Sequence, residues 1–112
     1  MLYKFKSKAA ADVIMLPPHA RSLLEVLGTR DADETQDSPG IVLADQIAAA
    51  MASLEQAMQR EEADLQAARD EAVARGDKPP HPPSVTLRQR AHPLMVMLKR
   101  SAHEGHDVTW TV

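Results

Sequence analysis

The amino-acid sequence predicts an α+β domain in which a small three-stranded sheet is packed by three helices, one of them long. Three observations lead there. Both ends of the chain alternate apolar and polar residues with the period of two that a half-buried strand requires. The interior instead carries apolar residues at helical spacing. The four glycines, Gly28, Gly40, Gly76 and Gly105, stand singly, each at the boundary of a helical pattern.

In "LYKFK", residues 2–6, Tyr3 and Phe5 share one face and Lys4 and Lys6 the other, which defines the first strand. "DVIML" is a short apolar run with β-branched residues, stopped by Pro17 and Pro18, and forms the second strand of a hairpin. From Pro18 onward, Ala20, Leu23, Leu24 and Leu27 follow a helical face, and Gly28 closes the first helix as a C-cap. The acidic stretch "TRDADETQDSPG", about 29–40, holds almost nothing apolar and reads as a mobile surface loop.

From about Ile41 to Arg75 the pattern predicts one long helix. Ile47, Met51, Leu54 and Met58 step by four, three and four, and a weaker stripe continues through Glu61 to Leu65, Ala68 and Ala72. Some 33 residues at 1.5 Å each would run about 50 Å, longer than a domain of this size is wide. Residues 59–75 therefore project, bend back, meet a partner or stay disordered. The proline-rich segment "GDKPPHPP" and its margin, about 76–84, reads as an extended spacer.

Thr86 and Gln89 then match a capping box, and Leu87, Ala91, Leu94, Leu98 and Ala102 form the apolar face of a third helix. Pro93 lies within it and either kinks it or marks its true start. In "DVTWTV", Val108, Trp110 and Val112 alternate with Thr109 and Thr111 as a closing strand. An isolated hairpin is only marginally stable, so this strand joins the same sheet, in the order 2-1-3. Helices one and three and the first half of helix two then cover one face.

Composition narrows the function. The chain of 112 residues fits one domain, 1–112, and its 44% hydrophobic content overstates the core because much of it is alanine. With no cysteine, disulfides, thiolate nucleophiles and zinc ribbons are excluded. Charges break every apolar run well short of the about 20 residues a membrane span needs. The opening residues lack the apolar core of a signal peptide, which leads to the expectation of a cytoplasmic protein. A net charge of −3, from 13 basic and 16 acidic residues, argues against a general nucleic-acid binder.

The two ends, "MLYKFKSKAAADVIML" and "SVTLRQRAHPLMVML" with "EGHDVTW", resemble those of a family of small proteobacterial proteins catalogued as a domain of unknown function. The most distinctive part is "LRQRAHPL", while "MLPPHA" departs from the family's glycine-containing turn. The resemblance implies a bacterial cytoplasmic protein and brings no assigned activity.

No G-x-S-x-G elbow occurs, and single glycines cannot build a phosphate-cradling loop. The paired carboxylates Glu61 with Glu62, and Asp31 with Asp33, fall in exposed segments where no burial would tune them for proton transfer. No catalytic residue and no cofactor is expected. Three other chemistries are open. His103 and His106 are candidate metal ligands, with Glu104, Asp107 or His92 to complete a site, but "HEGHDVTW" is explained more plainly as a helix stop followed by a strand start. Tyr3, Phe5 and Trp110 on strands beside lysines are the pattern of a sheet that stacks RNA bases, although a core short of large residues needs the same rings. The stripe Ile47, Met51, Leu54 and Met58 is the candidate interaction surface, because methionines adapt to different partners. The sequence thus predicts a non-catalytic interaction or assembly module acting through helix surfaces, with a protein partner or self-association as a homodimer. Metal binding at the C-terminal histidines and weak RNA or anion binding on the sheet are the alternatives.

Overall fold

In a computed structural model, which describes residues 2–112, the N-terminal hairpin forms as β1 (Tyr3–Ser7) and β2 (Ala10–Met15). Ser7 pairs with Ala10, so the turn is the two residues Lys8 and Ala9. Toward the open end Phe5 faces Val13 and Tyr3 faces Met15, with one irregularity between Phe5 and Ser7 that gives β2 an extra residue. The closing strand β4 (Val108–Thr111) adds to the other side of β1, Phe5 against Trp110, which is the predicted order.

A fourth strand, β3 (Gly40–Val42), lies beyond β4, so the antiparallel sheet runs β2-β1-β4-β3 rather than having three strands. Ile41, Val42 and Leu43 read as the start of the long helix because three consecutive apolar residues fit either period. Val42 is buried while Ile41 and Leu43 are exposed, the alternation of a strand. Gly40 sits opposite Trp110 with the indole lying over it, and a Cβ at this position would overlap the ring.

Helix α1 (Pro17–Leu27) starts on two prolines and ends at Gly28, whose φ of 81° is the left-handed conformation a glycine adopts without strain. Helix α2 (Ile47–Ala74) begins later than Ile41, after β3 and a 3-10 turn (Ala44–Gln46), and runs unbroken for 28 residues, about 42 Å. It accounts for the elongated shape, 52 × 31 × 22 Å. Its outer half is helical throughout, and the chain returns along it, with Pro80 and Pro82 against Leu65 and Arg69.

Helix α3 (Leu87–Glu104) is capped as predicted: Gln89 N–H donates to Thr86 Oγ1 and Thr86 N–H to the Gln89 side chain. It begins at Leu87 and continues through Pro93. Glu61 of α2 accepts the Leu87 N–H at 3.1 Å, satisfying one of the donors a helix start leaves open. Arg88 bridges Glu55 and Glu62, which fixes α2 and α3 side by side. Tyr3, Phe5, Val108 and Trp110 meet Leu23, Leu24, Leu54, Met58, Leu94 and Leu98 in one core on the helix-covered face.

The acidic loop is held more firmly than its composition predicts. Asp37 reaches back to accept hydrogen bonds from Tyr3 Oη and from Arg21 Nε and Nη2, at 2.8 and 2.7 Å for the arginine. Arg30, buried within the loop, donates to the carbonyls of Glu34 and Gln36 and lies 3.5 Å from Asp37. Residues 31–36 are exposed, as a surface loop requires, while Asp37 ties the end of the loop to Tyr3 and Arg21, which are distant in sequence.

Candidate functional site

Two sheet edges have no ladder neighbour, and they differ. β3 is three residues long and follows Pro39, a short, blunted edge. β2 is six residues long, and beyond Asp12 its sequence Val13-Ile14-Met15-Leu16 carries no charge that would discourage another strand from pairing. Val13 and Met15 turn toward the core, whereas Ile14 and Leu16 are each 57% exposed.

Helix α3 supplies the second wall. Leu87, Ala91, Leu94, Leu98 and Ser101 are buried, and Arg90, Pro93, Val96, Arg100 and His103 follow on another face of the helix at steps of three, three, four and three. Two clefts border this face, one against β2 and one against the hairpin turn. One, about 490 Å³, is lined by Ile14, Leu16, His19, Val85, Arg90 and Pro93 among others. The next, about 550 Å³, extends from the hairpin turn at Ala9 to Val96, Lys99, Arg100 and His103.

The first cleft is short of hydrogen-bond partners. His19 Nδ1 and Arg90 Nε are both buried atoms without one, two of the three such side-chain atoms among the described residues, the other being Arg30 Nε in the acidic loop. Pro93 has no N–H to give the Gln89 carbonyl one turn earlier. Buried polar atoms are nearly always satisfied in a finished structure, so unpaired atoms beside an unpaired strand edge and exposed apolar side chains mark a surface suited to an added segment of backbone.

The stripe predicted as an interaction surface lies elsewhere. Ile47, Leu54 and Met58 are buried in the core and Met51 packs partly buried against it, so these residues hold the fold together. The periodicity was legible; burial under α1 and α3 is a tertiary fact that periodicity cannot separate from a partner's groove. Tyr3, Phe5 and Trp110 are likewise core residues under the helices, with ring centroids 6.4 and 5.8 Å apart in sequence, and stacked bases cannot reach them. His103 lines the cleft beside Arg100, whereas His106 faces a different one with Lys6, Lys8 and Asp107. Among the described residues no group of three or more histidines or carboxylates is arranged to hold a metal ion.

The strongest electrostatic cluster is structural. Hydrogen bonds from Arg21 and then from Tyr3 hold the Asp37 carboxyl well below the usual carboxylate range. Burial, and then the bond to Asp37, push the Tyr3 hydroxyl up. A carboxylate that loses its proton more readily when folded than when unfolded contributes stability above the unfolded value near 4, and that contribution is lost as the pH falls below it. Urea unfolding at pH 7 and pH 3 is expected to show a larger loss for the native chain than for Asp37→Asn. Tyr3→Phe is expected to cost about 1–3 kcal/mol at neutral pH, the worth of a hydrogen bond to a charged group.

The geometry is that of a small α+β domain whose sheet is covered by helices on one face and left unpaired along β2. The chain belongs to the family described as a domain of unknown function, DUF1840, whose model matches residues 1–110, taking in the acidic loop and the proline-rich return as well as both ends. No curated protein and no solved structure shows significant similarity to it. No helix among the described residues is long and apolar enough to cross a membrane.

Proposed function

We propose that the chain is a non-catalytic interaction module, and that the surface it uses is the groove between β2 and α3, into which an extended segment of polypeptide adds as a further strand. One observation carries this reading: a sheet edge without a ladder partner coincides with exposed Ile14, Leu16 and Val85 and with the unpartnered His19 Nδ1 and Arg90 Nε. Strand addition answers all of these at once, because main-chain hydrogen bonds supply affinity and alternate side chains fill the flanking clefts. The most tightly paired ionisable group, Asp37, has both oxygens engaged in holding a loop, a structural use. Its partners, like those of Arg88, bind elements of the fold to one another.

The reading is tested by placing a photo-reactive phenylalanine at Ile14 or, as a control, at the exposed Arg60 of α2, in cells that express the chain. Discrete cross-linked adducts at position 14 and none at position 60 are expected. Equal labelling at both positions, or none at position 14, would contradict it.

A further inference from the structure

We infer that the segment received by this groove is acidic. The inference rests on the strand-docking reading and adds the chemistry of the partner. Of the basic residues of α3, Arg90 lines the first cleft, and Lys99, Arg100 and His103 line the second. None of the first three takes part in an ion pair among the described residues, whereas Arg21, Arg30, Arg75 and Arg88 all do. Arg60 and Arg69 on α2 are also outside any ion pair, but among the unpaired arginines of the described residues only Arg90 has a buried guanidinium nitrogen without an acceptor, and it lines the first cleft.

One carboxylate lines each cleft, Asp12 the first and Glu104 the second, and neither forms an ion pair with Arg90, Lys99 or Arg100 among the described residues. Asp12 is instead 3.8 Å from Lys4 on the neighbouring strand, and Glu104 closes the second cleft one turn beyond Arg100. Arg90 is the key position: its Nε is buried without an acceptor, so a carboxylate or carbonyl arriving there gains a charge-assisted bond and removes an unsatisfied donor together. Arg100 and Lys99 continue the same sign along α3 beside the hairpin turn. The exposed Ile14, Leu16 and Val85 ask for apolar side chains between the acids. The occupant that fits is an extended acidic peptide with apolar residues at alternate positions, the spacing that sends one set toward the clefts and the other away. A second copy of this chain paired edge to edge is a poorer match, since a two-fold arrangement brings the basic faces of both α3 helices toward one seam.

The test selects peptides from a random displayed library against the intact chain, then measures the selected peptides by fluorescence anisotropy at 50 and 300 mM salt. The expected sequences are enriched in Asp and Glu with alternating apolar residues, and their binding weakens at the higher salt. Ile14→Lys and Arg100→Glu, both at exposed positions, are each expected to weaken binding at least tenfold, and Arg90→Glu more. Binding that Ile14→Lys abolishes but that shows neither acidic enrichment nor sensitivity to Arg100→Glu would overturn this inference while leaving strand docking intact. Failure of Ile14→Lys to affect any selected peptide, or no selected peptide at all, would sink both. Sedimentation showing a dimer that Ile14→Lys converts to monomer would assign the groove to a second copy and overturn the acidic partner.

Discussion

Replacing Leu54 by alanine is expected to destabilise the protein by about 2–5 kcal/mol, the range for a large side chain removed from a closed core. Leu54 is fully buried between Ile47 and Met58 on the inner half of α2, where α1 and α3 pack against it. Leu65, three stripe positions further along the same helix, is only half-buried and rests against the proline-rich return, so Leu65→Ala is expected to cost under about 1 kcal/mol. Urea unfolding of the two variants measures the difference directly. Equal costs would mean that α2 is not divided into a core half and a projecting half.

Gly40→Ala is expected to cost about 3 kcal/mol, the upper end for forcing atoms into a filled space. The added methyl would overlap the Trp110 indole, which is 4% exposed and packed on Phe5, so the ring has nowhere to retreat without opening the sheet. Gly28→Ala provides the contrast. Nothing lies near its Cβ position, and its cost, about 1–2 kcal/mol, comes only from holding an L-residue at a φ of 81°. Because Trp110 is the single tryptophan, its emission separates the two mechanisms. A red-shifted folded-state spectrum is expected for Gly40→Ala and an unchanged one for Gly28→Ala.

Local patterns made much of this architecture legible. The alternation around Tyr3 and Phe5, the capping box of Thr86 and Gln89, and the glycine stops at Gly28 and Gly105 are signals a few residues long, and each appears where the pattern puts it. What could not be read depends on residues far apart. β3 exists because Gly40 fits beneath Trp110, seventy positions away, and no window containing Ile41 includes that ring. Asp37 is anchored by Tyr3 and Arg21 in the same way, which turns an acidic loop into a pinned one. Pro93 left two readings open, and packing of Leu87 and Ala91 together with the bond from Leu87 to Glu61 holds the turn before it in the helix. The groove did leave a trace in the sequence. "DVIML" is apolar on both faces although only one faces the core, and Pro93, Val96 and Arg100 recur on α3 out of phase with its buried stripe.

The account turns on whether β2 is an edge that receives a strand. Amide hydrogen exchange of the intact chain, followed residue by residue with and without a selected peptide, tests this most directly. Slowed exchange confined to residues 10–16, with α2 unchanged, is the predicted result. Slowed exchange along α2 or at β3, with residues 10–16 unaffected, would contradict it.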